Sequence, residues 1–251
     1  MLVPAPAPPD RDRLAGGKPV ARPPAPAYAD AVPPEVTLEG SRVRLEPLRA
    51  GHAGPLADAA GESRASYGFT LVPDGQAAME SYVAAALRDQ GSGWALPFAV
   101  CDGLTGQVVG ATRFLELDYW SWPPAWPPGR PGGGPAPRPD AVPTVAEIGS
   151  TWLSAAAQRT GVNTEAKLLM LGHAFGTWGV LRVTLKTDAR NERSRRAIER
   201  LGARFEGVRR AHARAVDGSV RDTAYYSVIA SEWPAARAAL EARVSGGARP
   251  R

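Results

Sequence analysis

Hydrophobic residues along the chain follow two periods, and the order of these periods predicts the fold. Alternation of apolar and polar residues is typical of strands, whereas apolar residues three and four positions apart are typical of helices. Alternation predicts strands at 36–48 and 181–187, apolar and β-rich runs on either side of a turn predict strands at 96–101 and 107–115, and further strands are predicted at 147–153 and 223–230. Helices are predicted at 74–87, 168–178, 192–201 and 231–244, and further helical chain between 50 and 74. This order predicts a single α+β domain with a mixed, mostly antiparallel twisted sheet flanked by helices.

Turn and cap residues support these elements. Gly40 and Ser41 mark a turn within the first strand region, and the segment 102–106 has the composition of a hairpin. Asp74 is placed to cap the first long helix, and Asn191 is placed to cap a short one that ends at Gly202. In the helix that follows the central strand, the apolar stripe is expected on Leu168, Leu171, Phe175 and Trp178, with an end near Gly179.

Two proline-rich segments set the domain boundaries. Residues 1–34 hold ten of the 25 prolines and are predicted to form a disordered tail, with a short flexible end at 246–251. Residues 119–143 hold nine more prolines and three tryptophans, and they interrupt a domain that spans 35–245. Because exposed tryptophans are costly, this insertion is expected to pack on the domain, on a second subunit or on a substrate, unless it has no role.

Composition is that of a globular protein. Hydrophobic residues make up 44% of the chain, and no run reaches the length of about 18 apolar residues that a membrane span needs. The N-terminus has no secretory pattern, so we expect a cytoplasmic protein without a membrane partner. The single cysteine, Cys101, lies in an apolar strand and is expected to be a buried thiol. His52, His173 and His212 show no metal-ligand spacing, so no metal is expected, and His173 is interpreted as a packing or surface residue.

The positive charge is concentrated in one region. The net charge is +5, yet residues 182–214 contain eleven Arg or Lys against four acidic residues. Such an excess attracts a polyanion, which includes a nucleic acid, a phosphorylated cofactor and an acidic protein, but a solvated helix face explains it as well.

The turn between the 147–153 strand and the following helix is the strongest functional signal. A strand, a tight turn and a helix N-terminus together direct backbone N–H groups and the positive end of the helix dipole at one point, where phosphate binds well. Gly161 permits close backbone approach and Arg159 adds positive charge. The turn lacks the Gly-Lys-Ser/Thr of a P-loop and the three glycines of a dinucleotide fingerprint, so those two classes do not fit.

Three motifs in order resemble the GNAT acetyltransferases, and in particular their RimJ/RimL-like branch. Gln158 and Gly161 match the pyrophosphate motif Gln/Arg-x-x-Gly-x-Gly/Ala, with Asn163 in place of its last small residue. Asn191 and Ser194 match Asn-x-x-Ser, and the stretch 201–207 resembles the block Leu-Gly-Phe-x-x-Glu-Gly. The resemblance extends from about Val36 to Val244.

The resemblance implies an N-acetyltransferase that uses acetyl-CoA as co-substrate and transfers the acetyl group to a primary amine by direct attack on the thioester. Backbone groups of Trp152, Leu153 and Ser154 would hold the pantetheine. The pyrophosphate would bind at Gln158, Arg159, Thr160, Gly161, Val162, Asn163 and Thr164. Asn191 would contact the pantetheine or the amine, and a plain helix cap is the alternative.

Catalytic roles are assigned on the same resemblance. Many members have a tyrosine seven residues after the motif asparagine to protonate the leaving thiolate, but Ile198 occupies that position here. Ser194 is the candidate substitute, although a helix serine often bonds its own backbone. Glu147 is the candidate general base, acting through a water molecule, and an edge salt bridge is its structural alternative.

Other functions stay open at this point. A non-catalytic acyl-CoA sensor would keep the pyrophosphate turn without an acid and a base. A nucleic-acid-binding module is disfavoured, because the basic region lacks interleaved exposed aromatic residues. The acceptor is either a protein N-terminus or a small amine, and a homodimer is compatible with the sequence.

Overall fold

The computed structural model describes residues 32–119 and 142–246, which form five helices and eight strands. The strands are β1 (Leu38–Glu39), β2 (Val43–Pro47), β3 (Ala95–Asp102), β4 (Val108–Asp118), β5 (Val145–Leu153), β6 (Arg182–Asp188), β7 (Arg204–Arg214) and β8 (Val220–Ile229). The helices are α1 (Ala53–Gly61), α2 (Gln76–Gly91), α3 (Val162–His173), α4 (Glu192–Glu199) and α5 (Trp233–Gly246). A π-helical turn, Ala174–Trp178, extends α3.

All eight strands belong to one sheet, in the order β1-β2-β3-β4-β5-β6-β8-β7. Each neighbouring pair is antiparallel except β5 and β6, which are parallel and are joined by the crossover helix α3. The predicted fold class, a mixed and mostly antiparallel sheet flanked by helices, is therefore confirmed.

Each face of the sheet is covered by its own hydrophobic cluster. On one face, residues of α3, α4 and α5 pack on the strands, and Phe114 and Trp178 meet with ring centroids 4.6 Å apart. On the other face, α1 and α2 cover Ala99, Cys101 and Ala111 and reach Trp152 near the end of β5. Because strand residues alternate between the faces, neighbours along β5 belong to different clusters.

Strand β7 was not predicted from the sequence. Nine of its eleven residues are exposed, since it is the last strand of the sheet, and its ladder with β8 shifts register twice. A strand that is exposed to water on both faces has no apolar period to detect. Much of the basic excess of residues 182–214 lies on this edge rather than on a helix face.

Two local predictions about helices were wrong in detail. Gly75, not Asp74, is the N-cap of α2, with φ +78°, and the Asp74 carboxylate lies 3.5 Å from Arg64 instead. In α3 the buried face includes two charged residues, Glu165 and Lys167, whereas Leu168 is only partly buried. That face keeps an apolar period at Val162, Ala166, Met170 and Ala174, and the two charged residues are held in it by partners on other elements.

Other local predictions are confirmed. Asn191 caps α4 by accepting a hydrogen bond from the Ser194 N–H at 3.1 Å, and Gly202 follows that helix with φ +88°. Cys101 is a buried thiol whose pKa burial raises to about 11.

The predicted tail 1–34 and the predicted end 246–251 lie outside the described residues except for 32–34 and Gly246. The predicted insertion 119–143 is described only at its two ends. These ends are adjacent, because the Thr144 N–H donates to the Asp118 carbonyl at 2.8 Å and Asp118 pairs with Val145. Among the described residues, no helix has the length and apolar character to cross a membrane.

Candidate active site

A wedge-shaped cleft opens between the two parallel strands at the centre of the sheet. Strands β5 and β6 pair at Val145 with Arg182, Ala146 with Val183, and Glu147 with Thr184. Both strands continue, to Leu153 and Asp188, without further pairing between them along these fully described stretches. The Leu153 carbonyl accepts from Tyr67 Oη and Gln158 Nε2, and the other backbone groups on this side of β5 need a partner that an extended ligand can supply.

A β-bulge bends β5 where the cleft opens. Ala111 pairs with Trp152 and Arg113 with Gly149, so β5 has one residue more than β4 across this interval. Ser150 takes a left-handed conformation, with φ +47°. Bulges of this kind bend a strand and redirect its side chains.

The turn that follows β5 is shaped to bind an anion. Arg159 and Gly161 both have positive φ, +63° and +95°, and α3 begins at the next residue, Val162. Backbone in this conformation gathers N–H groups on one side, and the first N–H groups of a helix have no partner within it. The predicted residues Thr160, Val162, Asn163 and Thr164 thus lie where the dipole of α3 favours negative charge.

Arg42, from the start of β2, supports this turn from behind. Its Nη1 lies 3.4 Å from the Thr160 carbonyl oxygen, and its Nη2 lies 3.4 Å from the Val244 carbonyl oxygen. Because a trans peptide directs its C=O and N–H in opposite directions, the Gly161 N–H points away from Arg42. A Cβ added to Gly161 would make an ordinary contact with the guanidinium at 3.4 Å, so it is the positive φ that favours glycine here.

The side chain of Gln158 is a brace within the turn. Its Nε2 donates to the Leu153 carbonyl at 2.9 Å and to Ser66 Oγ at 2.8 Å, and its Oε1 accepts from Arg193 at 3.3 Å. Arg193 also donates to the Ser66 carbonyl at 2.9 Å. The Gln158 N–H donates to the Ala155 carbonyl at 3.4 Å, so Gln158 holds the shape of the turn through both its side chain and its backbone.

Glu147 is a buried carboxylate at the point where β5 and β6 separate. Its neighbours Ala146 and Ile148 belong to the α3 side of the sheet, so Glu147 projects from the opposite side, with Lys186 of β6. Lys186 Nζ lies 2.8 Å from Glu147 Oε2 and 2.7 Å from Glu116 Oε1. Gly149 leaves room for this arrangement, since a Cβ there would lie 2.8 Å from Glu147 Oε1.

The surroundings of Glu147 hold its pKa near neutral pH. Only 2% of the residue is exposed, and burial raises the pKa of Glu147 to about 7 while the charge of Lys186 opposes that rise. A carboxyl group with such a pKa can accept and release a proton at physiological pH. The edge salt bridge that the sequence left open is present, but it is buried and does not prevent an acid–base role.

Asn191 and Ser194 lie at the N-terminus of α4. Asn191 is buried and uses its Oδ1 for the cap, whereas Ser194 is half buried. Among hydrogen bonds within the described ranges, Ser194 Oγ takes part in none, unlike Ser81 Oγ, which donates to the Ala77 carbonyl at 3.0 Å. The hydroxyl of Ser194 is therefore available for another partner.

A splayed parallel pair, a bulge and an anion-binding turn are arranged here in one continuous segment, and comparison with known proteins identifies this arrangement. The family profile described as the Acetyltransferase (GNAT) domain matches residues 42–204, which is more than half of the chain and includes all of these features. The chain belongs to the GNAT acetyltransferase family.

Solved structures agree with this GNAT assignment. The chain is 32% identical to a GCN5-related N-acetyltransferase from Brucella melitensis, with a TM-score of 0.69 over 85% of this chain and 87% of that one. It is 33% identical to an acetyltransferase from T. thermophilus, with a TM-score of 0.63 over 84% and 97%. Among curated proteins no sequence matches.

A more distant structural neighbour was solved with CoA-disulfide bound. Mycobacterium smegmatis RimJ in complex with CoA-disulfide has a TM-score of 0.65 over 83% of this chain and 95% of that one, at 20% identity. At this identity the likeness supports the fold alone.

The candidate site also includes three residues that the sequence did not indicate. Arg42 supports the turn, Lys186 is the counter-charge of Glu147, and Gly149 makes room for that carboxylate. None carried a sequence signal, because each acts through a contact with a residue on another element or through space that only the fold defines. Conversely, Trp152 contributes only backbone to the cleft, since its ring packs edge-on against Tyr67 at 6.2 Å on the α1 and α2 side.

Proposed function

We propose that this GNAT acetyltransferase transfers an acetyl group from acetyl-CoA to a primary amine, without an acyl-enzyme intermediate. The observation that carries the proposal is Glu147, a buried carboxylate with a pKa of about 7, at the narrow end of a cleft whose other end leads to an anion-binding turn. The phosphate site at one end of the cleft suits the pyrophosphate of a CoA thioester. The base at the other end suits a nucleophile that must lose a proton. The proposed reaction needs no metal.

In this proposal the chain acts mainly by positioning. Backbone groups of Trp152, Leu153 and Ser154 align the pantetheine, and the turn 158–164 holds the pyrophosphate. Glu147 takes the proton of the amine through a water molecule. The nitrogen then forms a bond to the thioester carbonyl carbon as the C–S bond breaks.

The departing thiolate needs a proton, and Ser194 is the proposed donor. Its free hydroxyl lies in the first turn of α4, three residues after the N-cap Asn191. Solvent replaces the proton afterwards. Ile198, which stands where many relatives have an acidic tyrosine, is buried in the core with 7% exposure and has no proton to give.

The motifs favour a RimJ/RimL-like acceptor, which means a protein N-terminus, and a small primary amine is the other acceptor class. The test is thiol release from acetyl-CoA with a panel of peptides of different first residues and of small amines, followed by mass spectrometry of the products. Acetylated product with at least one class is expected. CoA binding without thiol release from any acceptor would instead indicate an acyl-CoA sensor.

Ser194→Ala is expected to lower kcat by roughly 10- to 1000-fold, the range for loss of one acid or oxyanion contact, because the thiolate would leave unprotonated. The KM for acetyl-CoA should change little. Ser231→Ala, at an exposed serine before α5, is the matched control and should keep its full activity. Wild-type kcat in Ser194→Ala would show that water protonates the thiolate.

Lys186→Met is expected to move the acidic limb of the pH–rate profile to higher pH. The charge of Lys186 lowers the pKa of Glu147, so its removal lets burial raise that pKa further. Activity at pH 7 should fall severalfold and recover in more alkaline buffer. Arg182→Met, on the same strand but paired with Glu206, should leave the profile in place. An unshifted limb in Lys186→Met would assign it to another group.

A further inference from the structure

A lysine is buried beneath the sheet, behind the cleft. Lys167 lies in the second turn of α3 and is 4% exposed. Its Nζ donates hydrogen bonds to Thr112 Oγ1 of β4 at 2.9 Å and to Thr151 Oγ1 of β5 at 2.6 Å. Within 32–119 and 142–246, no carboxylate lies at ion-pair distance from it.

The two threonines lie on either side of the β5 bulge. Thr112 falls between the pairs that Ala111 and Arg113 make, and Thr151 lies in the interval where β5 has its additional residue. Their hydroxyl oxygens are 2.8 Å apart. The backbone ladder between β4 and β5 is thus interrupted at this point. The two threonine side chains and the ammonium of Lys167 fill the gap and bond to one another.

This arrangement is costly for stability. Burial lowers the pKa of Lys167 to about 7, because the interior disfavours its charge. A methionine would fill nearly the same volume without that cost, and the two threonines could still bond to each other. Packing alone therefore favours an apolar residue at this position.

The position of Lys167 connects the two parts of the cleft. The helix that carries it begins at the anion-binding turn, five residues earlier, and its two acceptors hold the strand whose backbone lines the cleft. A direct role in proton transfer with Glu147 is excluded by geometry, since Lys167 lies on the α3 side of the sheet and Glu147 projects from the other side.

We infer that Lys167 is a positioning residue, which fixes the β5 bulge against α3 so that the backbone of 152–154 and the turn 158–164 keep the separation that one CoA molecule spans. The inference rests on the proposed function, because it assumes that CoA occupies both parts. A residue with this task improves cofactor binding at the expense of stability.

The experiment compares full-length wild type with Lys167→Met, Thr151→Val and the double variant. CoA affinity is measured by calorimetry. The steady-state constants kcat and KM are measured with the best acceptor, and Tm is measured without ligand. Met170→Leu is the matched control, because Met170 lies on the same buried face of α3 and its Sδ also contacts Thr112, at 3.7 Å. Thr112→Val tests the same link from β4 if either other variant fails to fold.

Lys167→Met is expected to weaken CoA binding by roughly 5- to 50-fold, the size of a typical coupling free energy, and to raise Tm by several degrees. The KM for acetyl-CoA should rise, while kcat and the acceptor KM stay near wild type. Because both side chains belong to one link, the double variant should bind CoA about as weakly as Lys167→Met alone.

Three results would overturn the inference, and they differ in what else they affect. Wild-type CoA affinity in Lys167→Met, with normal binding by the wild type, refutes the positioning role and leaves the proposed function intact. Absence of CoA binding by the wild type itself refutes the proposed cofactor site, and the inference falls with it. A loss of affinity that Met170→Leu reproduces would also contradict it, because general repacking would then suffice.

Discussion

Gly161→Glu is expected to abolish measurable CoA binding. Gly161 has φ +95°, a conformation that costs other residues about 1 kcal/mol or more, so the turn must rearrange its N–H groups. The new carboxylate would also start beside Arg42, where it can pair with the guanidinium and cancel a positive charge next to the site for phosphate. Calorimetry with CoA is the measurement.

Gly161→Ala separates these two effects. It imposes the backbone cost without the charge, so it should weaken CoA binding by a smaller factor than Gly161→Glu does. Circular dichroism and Tm confirm that both variants are folded. Unchanged CoA affinity in Gly161→Glu would mean that the cofactor binds elsewhere on the protein.

Glu147→Gln is expected to lower kcat/KM by roughly 10²- to 10⁴-fold at neutral pH, the range for loss of a general base. Glutamine keeps the size of the side chain and cannot take the proton of the amine. In the wild type, Glu147 must be deprotonated to act, so activity should rise with pH through about 7, the pKa of this group. That limb should disappear in Glu147→Gln.

Glu116→Gln is the matched control for this change. Glu116 also bonds Lys186, but its side chain is 49% exposed and lies outside the cleft between β5 and β6. Its charge raises the pKa of Glu147, so its loss should move the limb to lower pH without removing it, and kcat/KM at neutral pH should not fall. If Glu147→Gln retained the same limb at the same pH, Glu147 would be a structural partner of Lys186, and the base would have to be sought among other groups.

The fold was predictable because most elements bury apolar residues, which leave a pattern in the sequence. Strands β2 and β6 alternate, β3 and β4 are apolar runs on either side of a hairpin turn, and the caps at Asn191 and Gly202 follow from local backbone chemistry. Strand β7 lacks such a signal, since it is the exposed edge of the sheet. The charged residues on the buried face of α3 were unpredictable for another reason: Glu165 bonds the Ser41 and Arg42 N–H groups, more than 120 residues away.

The same distinction applies to the candidate site. The turn 158–163 is contiguous, so sequence alone indicates an anion site there. Glu147 could be selected by resemblance, but its proton affinity depends on burial and on Lys186, which comes from the next strand of the sheet. Lys167 and the two threonines that it bonds lie on three different elements, α3, β4 and β5, and no local sequence pattern indicates such contacts.

The short pairing of β5 with β6 has a consequence for how the protein holds together. Only three register pairs connect the five-stranded N-terminal part of the sheet to the three-stranded C-terminal part. A ligand that pairs with the unpaired backbone of β5 and contacts α4 acts as an additional strand between the two parts. On the proposed function, acetyl-CoA is then a structural component as well as a substrate, and the melting temperature should depend on its concentration, as linkage requires of any ligand bound only by the folded chain.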